Sequence, residues 1–186
     1  KATVHREIFV MKSPYVTCLV PTHNRPQFLR RLLAFYSKFP PIYPIVVVAS
    51  SKAKASVENR TTVAKFQREL DVTYRHNDTD FLSKCIRALE LVKTPFVVLC
   101  ADDDVLFLET VLQCAEFLSH NPSYSSALGR VALLRPSNPQ WATQVLRGYS
   151  IEDDSPLERC RRLAEVFFTN FYAVYRTEIL HENYRV

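Results

Sequence analysis

From Tyr15 to Val20 the chain runs through β-branched and aromatic residues and then meets Pro21, which predicts a strand ended by a residue without an N–H. A polar loop, Thr22-His23-Asn24, follows. Between Pro26 and Phe39 the apolar positions Phe28, Leu29, Leu32, Leu33, Phe35, Tyr36 and Phe39 recur at helical spacing, with proline in the first turn and the pair Pro40-Pro41 as the stop. Ile45 to Ala49 is continuously aliphatic, as suits a central parallel strand covered on both faces. Ser56 to Leu70 reads as the next helix and Val72 to His76 as a third strand. Asp80 then caps a helix whose apolar face is Phe81, Leu82, Cys85, Ile86 and Leu89, and Phe96 to Cys100 forms a fourth strand. The next helix, from about Leu106 to His120, ends at Asn121-Pro122. Beyond it, Ser125 to Leu134 looks extended, Arg135 to Ser155 is a long polar segment, Leu157 to Phe167 is helical, and Phe171 to Arg176 returns to a strand. Strands and helices in alternation predict an α/β fold: a mostly parallel central sheet with helices on both faces.

The 186 residues are 47% hydrophobic and 23% charged, which fits one globular domain with a sizeable core. No apolar stretch reaches the roughly 20 residues needed to span a bilayer. Lys1 to Met11 lacks the continuous apolar run of a signal peptide. Only two glycines occur, Gly129 and Gly148, so neither a glycine-rich phosphate loop nor a dinucleotide-binding turn can be written. Any nucleotide must be held by side chains and a metal instead. Five scattered cysteines, with no C-x-x-C pair, read as free core thiols of a reducing compartment and argue against a structural zinc site. The expected location is the cytoplasm, with the surface of a membrane as an alternative.

The net charge of +5 is unevenly spread. Lys1 to Arg75 carries +9, His76 to His120 carries −5 and Asn121 to Val186 carries +1. A basic first part beside an acidic middle can frame an anion whose phosphates are shared between cations and a carboxylate-bound metal.

In parallel α/β sheets, ligands bind beyond the carboxyl ends of the strands. That rule selects Pro21-Thr22-His23-Asn24-Arg25 after the first strand and Asp102-Asp103-Asp104 after the fourth. Three adjacent carboxylates repel one another unless a cation offsets them, and Mg2+ or Mn2+ held by one or two carboxylates plus substrate phosphates suits such a cluster. A solvated acidic loop at the start of the following helix is the plain alternative.

These motifs resemble the inverting family 2 glycosyltransferases of the GT-A fold, over about Pro14 to Leu134 and more weakly to Leu180. The resemblance implies that Pro21, Thr22, His23, Asn24 and Arg25 hold the nucleotide base and ribose. It places Asp102 and Asp103 on the donor, and Asp102 and Asp104 on Mn2+ or Mg2+ at the diphosphate. Lys84 is either a cation directed toward the diphosphate or part of a solvated helix face. Where the family usually presents a base-reading aspartate this chain has Ala49-Ser50-Ser51, with Ser50 as substitute. Arg30 could add an anion contact, and Trp141 could stack on an acceptor sugar.

Residues 1–13 then form an N-terminal extension, 14–134 the donor-binding half and 135–186 part of an acceptor half of one domain. The implied reaction is transfer of a sugar from a nucleotide diphosphate donor to a glycan, lipid or protein hydroxyl with inversion. The family's catalytic base is expected past Val186. Within Glu152-Asp153-Asp154, Asp153 and Asp154 are the weaker candidates. Two other classes remain: an inactive nucleotide-sugar-binding or scaffolding module, and a nucleic-acid-binding protein. The second lacks any recognisable motif or basic stripe, so no nucleic acid is expected.

Overall fold

The computed structural model describes residues 15–41, 43–136, 141–146, 148–166 and 170–184. Its main sheet has six strands in the order β3-β2-β1-β4-β8-β5. These are β1 (Val16–Thr22), β2 (Ile45–Ala49), β3 (Val72–His76), β4 (Phe96–Leu99), β5 (Ser126–Ala127) and β8 (Val174–Arg176). The first four run parallel, with Cys18 opposite Ile45 and Val16 opposite Phe96, whereas β8 is antiparallel to both β4 and β5. β1, β2 and β4 are buried along their whole length, as expected of strands covered on both faces. β3, at the sheet edge, keeps only Val72 fully buried and turns polar side chains outward.

Alternate residues of the strands serve two cores. Val16, Cys18, Val20, Val47 and Val98 pack against α1 (Pro26–Lys38), α2 (Ala53–Phe66) and α4 (Leu108–His120). Leu19, Val46, Val48, Val97 and Leu99 meet α3 (Phe81–Leu89) and α6 (Thr177–Asn183) on the other face. The α/β fold with a mostly parallel sheet and helices on both sides therefore stands as expected.

Several boundaries differ from the sequence reading, each for a physical reason. Pro21 does not stop β1, which continues through Thr22 in register with β2. On the β2 side the ladder uses Cys18 and Thr22, through Cys18 N–H to Pro44 O and Ser50 N–H to Thr22 O. Pro21 faces the β4 side, where the ladder stops after Cys100 N–H to Leu19 O, so its missing N–H leaves the β1–β2 pairing intact. The helix α2 starts three residues before Ser56 and ends at Phe66 rather than Leu70.

In α3 the buried face is Lys84, Cys85, Ala88 and Leu89, while Phe81 and Leu82, expected in the core, are exposed. The polar segment from Arg135 to Ser155 contains β7 (Trp141–Val145), which pairs with β6 (Ala132–Pro136) in a separate hairpin. α6 had no sequence signal of its own. Its Leu180 is buried against α3 and the sheet, so tertiary packing supports it. The cysteines are not all core: Cys18, Cys85 and Cys100 are buried, Cys114 is half-buried and Cys160 is exposed on α5 (Pro156–Val166).

Arg176 joins the end of β8 to the end of α4. Its Nε donates to Tyr124 O (2.8 Å) and its Nη2 to Leu118 O (2.5 Å) and Asn121 O (3.1 Å). A guanidinium on helix-terminal carbonyls satisfies orphan acceptors and complements the helix dipole. Arg176→Met should therefore cost about 1–3 kcal/mol of stability. A lower urea midpoint at unchanged m would show it, and an unmoved midpoint would remove Arg176 from that role.

Candidate functional site

The strand order reverses direction between β1 and β4: β2 and β3 extend to one side of β1, β4 to the other. A crevice opens at such a switch point beyond the carboxyl ends of the strands. Cys100 N–H still donates to Leu19 O (2.9 Å), but the next bond on that side would need an N–H at position 21, which proline lacks. The chain leaves β4 here and turns, with Asp104 N–H donating to Ala101 O (3.2 Å). Thr22, Ser50 and the acidic loop thus meet at one edge.

Asp102 lies at the centre of this edge with no exposed surface. Thr22 Oγ1 donates to its Oδ2 (2.5 Å), and Arg25 Nη2 stands 2.5 Å from its Oδ1. The same guanidinium reaches Asp103 Oδ2 at 3.1 Å through Nη1, and Arg31 donates to the Asp103 carbonyl (2.8 Å). Burial pushes the Asp102 carboxyl up, against the pull of the Thr22 hydrogen bond and the Arg25 charge. Asp103 and Asp104 instead have exposed side chains, and the Tyr172 hydroxyl donates to Asp104 Oδ2.

Lys84 is not on a solvated helix face. It is 2% exposed, and its Nζ donates to the Thr22 carbonyl (2.8 Å) and to Ser50 Oγ (3.1 Å). Burial pulls its ammonium down, and nearby Asp102 favours the charged form. The lysine therefore ties the ends of β1 and β2 together, and its charge helps to offset that of the buried carboxylate.

The loop after β1 is built without glycine. Asn24 takes a left-handed conformation (φ 56°), which asparagine tolerates better than most residues. Its N–H donates to Ser51 Oγ (2.9 Å), and its Oδ1 accepts from Lys52 N–H (2.8 Å). His23 Nδ1 donates to the Ser50 carbonyl (2.8 Å), an atom that can only accept, which leaves Nε2 to accept from Asn24 Nδ2 (2.9 Å). Buried Asn59 on α2 donates to Ser51 Oγ (3.1 Å) from below. The loops after β1 and β2 are thereby one rigid unit, with the side chains of His23 and Asn24 exposed at its surface.

Of the residues singled out from sequence, Pro21, Thr22, His23, Asn24, Arg25, Ser50, Lys84, Asp102, Asp103 and Asp104 gather at this edge. Arg30 is exposed on α1. The side chain of Trp141 lies outside the described residues, as do residues 1–13. The Asp153 carboxylate is engaged with α5, and Asp154 meets that helix through its backbone carbonyl. Arg162 Nε reaches Asp153 Oδ2 at 2.9 Å, and Arg159 donates to the Asp153 and Asp154 carbonyls (2.7 and 2.9 Å). Sequence reasoning missed Ser51, Asn59, Arg31 and Tyr172, whose roles depend on contacts 8 to 72 residues away in sequence. Among the described residues no group of three or more His, Cys, Asp or Glu gathers into a ready-made metal cage.

The sequence matches glycosyl transferase family 2 over residues 17–183, and the chain belongs to that family. No curated protein matches it. Among solved structures it resembles residues 1–349 of S. aureus TarS (TM-score 0.61, 20% identity), covering 90% of this chain and 48% of that one. It also resembles the same TarS fragment in complex with UDP-GlcNAc (TM-score 0.57, 19% identity, 90% of this chain and 47% of that one). A third likeness is to the mannosyltransferase PcManGT from Pyrobaculum calidifontis in complex with GDP-Man and Mn2+ (TM-score 0.59, 19% identity, 91% and 46%). The chain thus spans about half the length of these structures, and at such identities the likeness is one of fold.

Because burial raises the Asp102 carboxyl, the folded protein holds this proton more tightly than the unfolded chain does. The group's contribution to stability is fully present at acid pH below the ordinary carboxylate range and declines as pH rises through the raised value. Asp102→Asn lacks that titration. The Tm of wild type relative to the variant should therefore fall as pH rises from below the ordinary carboxylate range through the raised value. A difference that stays constant would mean that Asp102 titrates like a solvated carboxylate.

Proposed function

We propose that this chain carries the donor site of a glycosyltransferase that uses a nucleotide diphosphate sugar and transfers the sugar to an acceptor hydroxyl with inversion. The observation that carries the reading is the convergence at the β1–β4 switch point: a buried, cation-paired Asp102 at the floor, two exposed carboxylates at the rim, and the His23–Asn24 loop beside them. A sheet edge that carries both basic and acidic groups matches a ligand with a polar base at one end and a diphosphate at the other. Residues 14–134 supply this half of the domain.

In this reading the loop from Pro21 to Arg25 takes the base and ribose. Its backbone is already fixed by Ser51, Lys52 and Ser50, so little conformational entropy is lost on binding. Ser50 is committed to His23 and Lys84, which makes it a support for the base pocket. Thr22 and Lys84 hold Asp102 and the ends of the strands in place beneath the donor.

Asp102 is a poor direct metal ligand in this geometry, since Oδ2 is hydrogen-bonded to Thr22 and Oδ1 faces Arg25. Asp103 and Asp104 fit Mn2+ or Mg2+ better, being adjacent, exposed and oxygen-rich. Two carboxylates are enough when substrate phosphates complete the shell. When bound, such an ion neutralises charge developing on the leaving diphosphate. That PcManGT is solved with GDP-Man and Mn2+ supports the pairing of nucleotide and cation. Asp153, paired with Arg162, is held away from the role of base that would accept the acceptor's proton.

Calorimetry with Mn2+ and uridine or guanosine diphosphate tests the donor site. Each ligand should bind at least about tenfold more tightly in the presence of the other, the scale of ordinary coupling between sites. Asp104→Ala should abolish that dependence, and His23→Ala and Asn24→Ala should weaken the nucleotide, Asn24→Ala with a lower Tm as well because alanine loses the Lys52 hydrogen bond and tolerates the left-handed backbone poorly. If no nucleoside diphosphate binds with or without the cation, the donor reading is wrong. Donor binding without turnover in the presence of suitable acceptors would instead make this a binding module.

A further inference from the structure

We propose that Arg25 is a built-in counter-ion of the acidic loop, which cation and diphosphate must displace together, so that a divalent metal alone is refused. The inference rests on the donor reading above and adds a gating role to one of its residues. Arg25 immediately precedes α1, and its single guanidinium spans two successive carboxylates, 2.5 Å from Asp102 Oδ1 and 3.1 Å from Asp103 Oδ2. Its Cζ lies 5.4 Å from the centre of the Phe28 ring, and the Arg31 Cζ lies 5.0 Å from the same ring. Arg31 in turn fixes the backbone of the acidic loop through the Asp103 carbonyl. The guanidinium is therefore aimed by packing as well as by charge.

The Arg25 contacts differ in strength. Asp102 Oδ1 is fully buried and has no well-aligned hydrogen-bond donor, so what Arg25 gives it is mainly charge. The Arg25 side chain is itself 43% exposed and Asp103 is 40% exposed, so the guanidinium has open space to move into, while Thr22 and Lys84 remain with Asp102. Asp103 Oδ2 is the conflict point: the oxygen that holds Arg25 is one that a divalent cation would need. The guanidinium and a divalent cation compete for it, because their mutual repulsion opposes the gain from either.

A metal arriving alone must expel Arg25 and leave it without an anionic partner. When the metal arrives with a diphosphate, the phosphate oxygens offer the expelled guanidinium a bidentate match. Arg25 then moves from protein carboxylates to ligand phosphate. Metal and nucleotide become coupled through this residue in addition to any direct coordination between them.

Mn2+ alone, followed by water-proton relaxation, and Mn2+ with uridine or guanosine diphosphate, followed by calorimetry, separate the possibilities. Arg25→Met removes the charge but keeps the aliphatic stem against Phe28. Arg25→Gln does the same with a hydrogen-bond donor retained, and serves if the Met variant fails to fold. Without nucleotide, the charge-deleted variant should bind Mn2+ about tenfold more tightly than wild type, the scale of one partly screened unit charge at this distance. Its coupling between Mn2+ and nucleotide should fall by a similar factor. Arg25→Lys, which keeps the charge, should stay near wild type in the Mn2+-only assay.

A folded charge-deleted variant that binds Mn2+ alone no better than wild type would overturn the proposal, whatever it does with nucleotide. Tighter Mn2+ binding with undiminished coupling would overturn the displacement of Arg25 toward phosphate. Failure of the wild type to bind either nucleotide falls on the donor reading, since the Mn2+-only comparison does not depend on it.

Discussion

The structure depends on one buried negative charge. Asp102 has left water completely at the end of β4, and a carboxylate in that position is tolerable only with charge and hydrogen bonds at hand. Three residues from three elements supply them: Thr22 from the end of β1, Arg25 from the loop after it, and Lys84 from α3. Each is constrained in turn. Lys84 can stay buried only because the Thr22 carbonyl and Ser50 Oγ accept from it, which fixes the ends of β1 and β2 relative to each other. Burial works against both ionised groups, and each helps to keep the other charged. The site is the place where the fold resolves this conflict.

The absence of glycine from these loops has a structural counterpart. A phosphate-binding turn built from backbone N–H groups needs residues without a Cβ. Here the one left-handed non-glycine position among the described residues is Asn24, and side chains do the holding: Ser51, Asn59 and His23 brace the loop, and carboxylates and guanidinium groups line it. A site made of side-chain charge carries its own counter-ions when no ligand is bound. Arg25 between Asp102 and Asp103 is one such counter-ion, and Tyr172 on Asp104 adds a hydrogen bond of the same kind. Proline contributes as well, since Pro21 ends the β1–β4 ladder where the crevice begins while leaving the β1–β2 ladder intact.

Much of this was legible in the sequence, because strand and helix periodicity is local. The aliphatic run Ile45–Ala49 and the spacing of Leu29, Leu32, Leu33 and Tyr36 carry their burial openly, and strand ends locate ligands by a rule of topology. The loops at Pro21–Arg25 and Asp102–Asp104 followed from that rule. The pairing of β6 with β7 did not, although Ser125 to Leu134 read as extended, since strands of five residues are too short to show a clean alternation. Nor did the exposure of Phe81 and Leu82, where helical periodicity marks an apolar face without saying which part of it meets the sheet.

The residue types of the site, its place at the ends of β1 and β4, and the α/β alternation were determined by the sequence alone, because each depends on neighbours in the chain or on a general rule of winding. Only the tertiary structure decided what each charge does. Asp102, Asp103 and Asp104 are chemically identical in the sequence, yet one is buried against Thr22 and Arg25 and the other two stand at the rim. Lys84, an ambiguous residue on an amphipathic helix, became a buried tie between two strands. Burial and the identity of the nearest opposite charge set these roles. Both come from contacts between residues 60 to 80 positions apart, which no local pattern encodes.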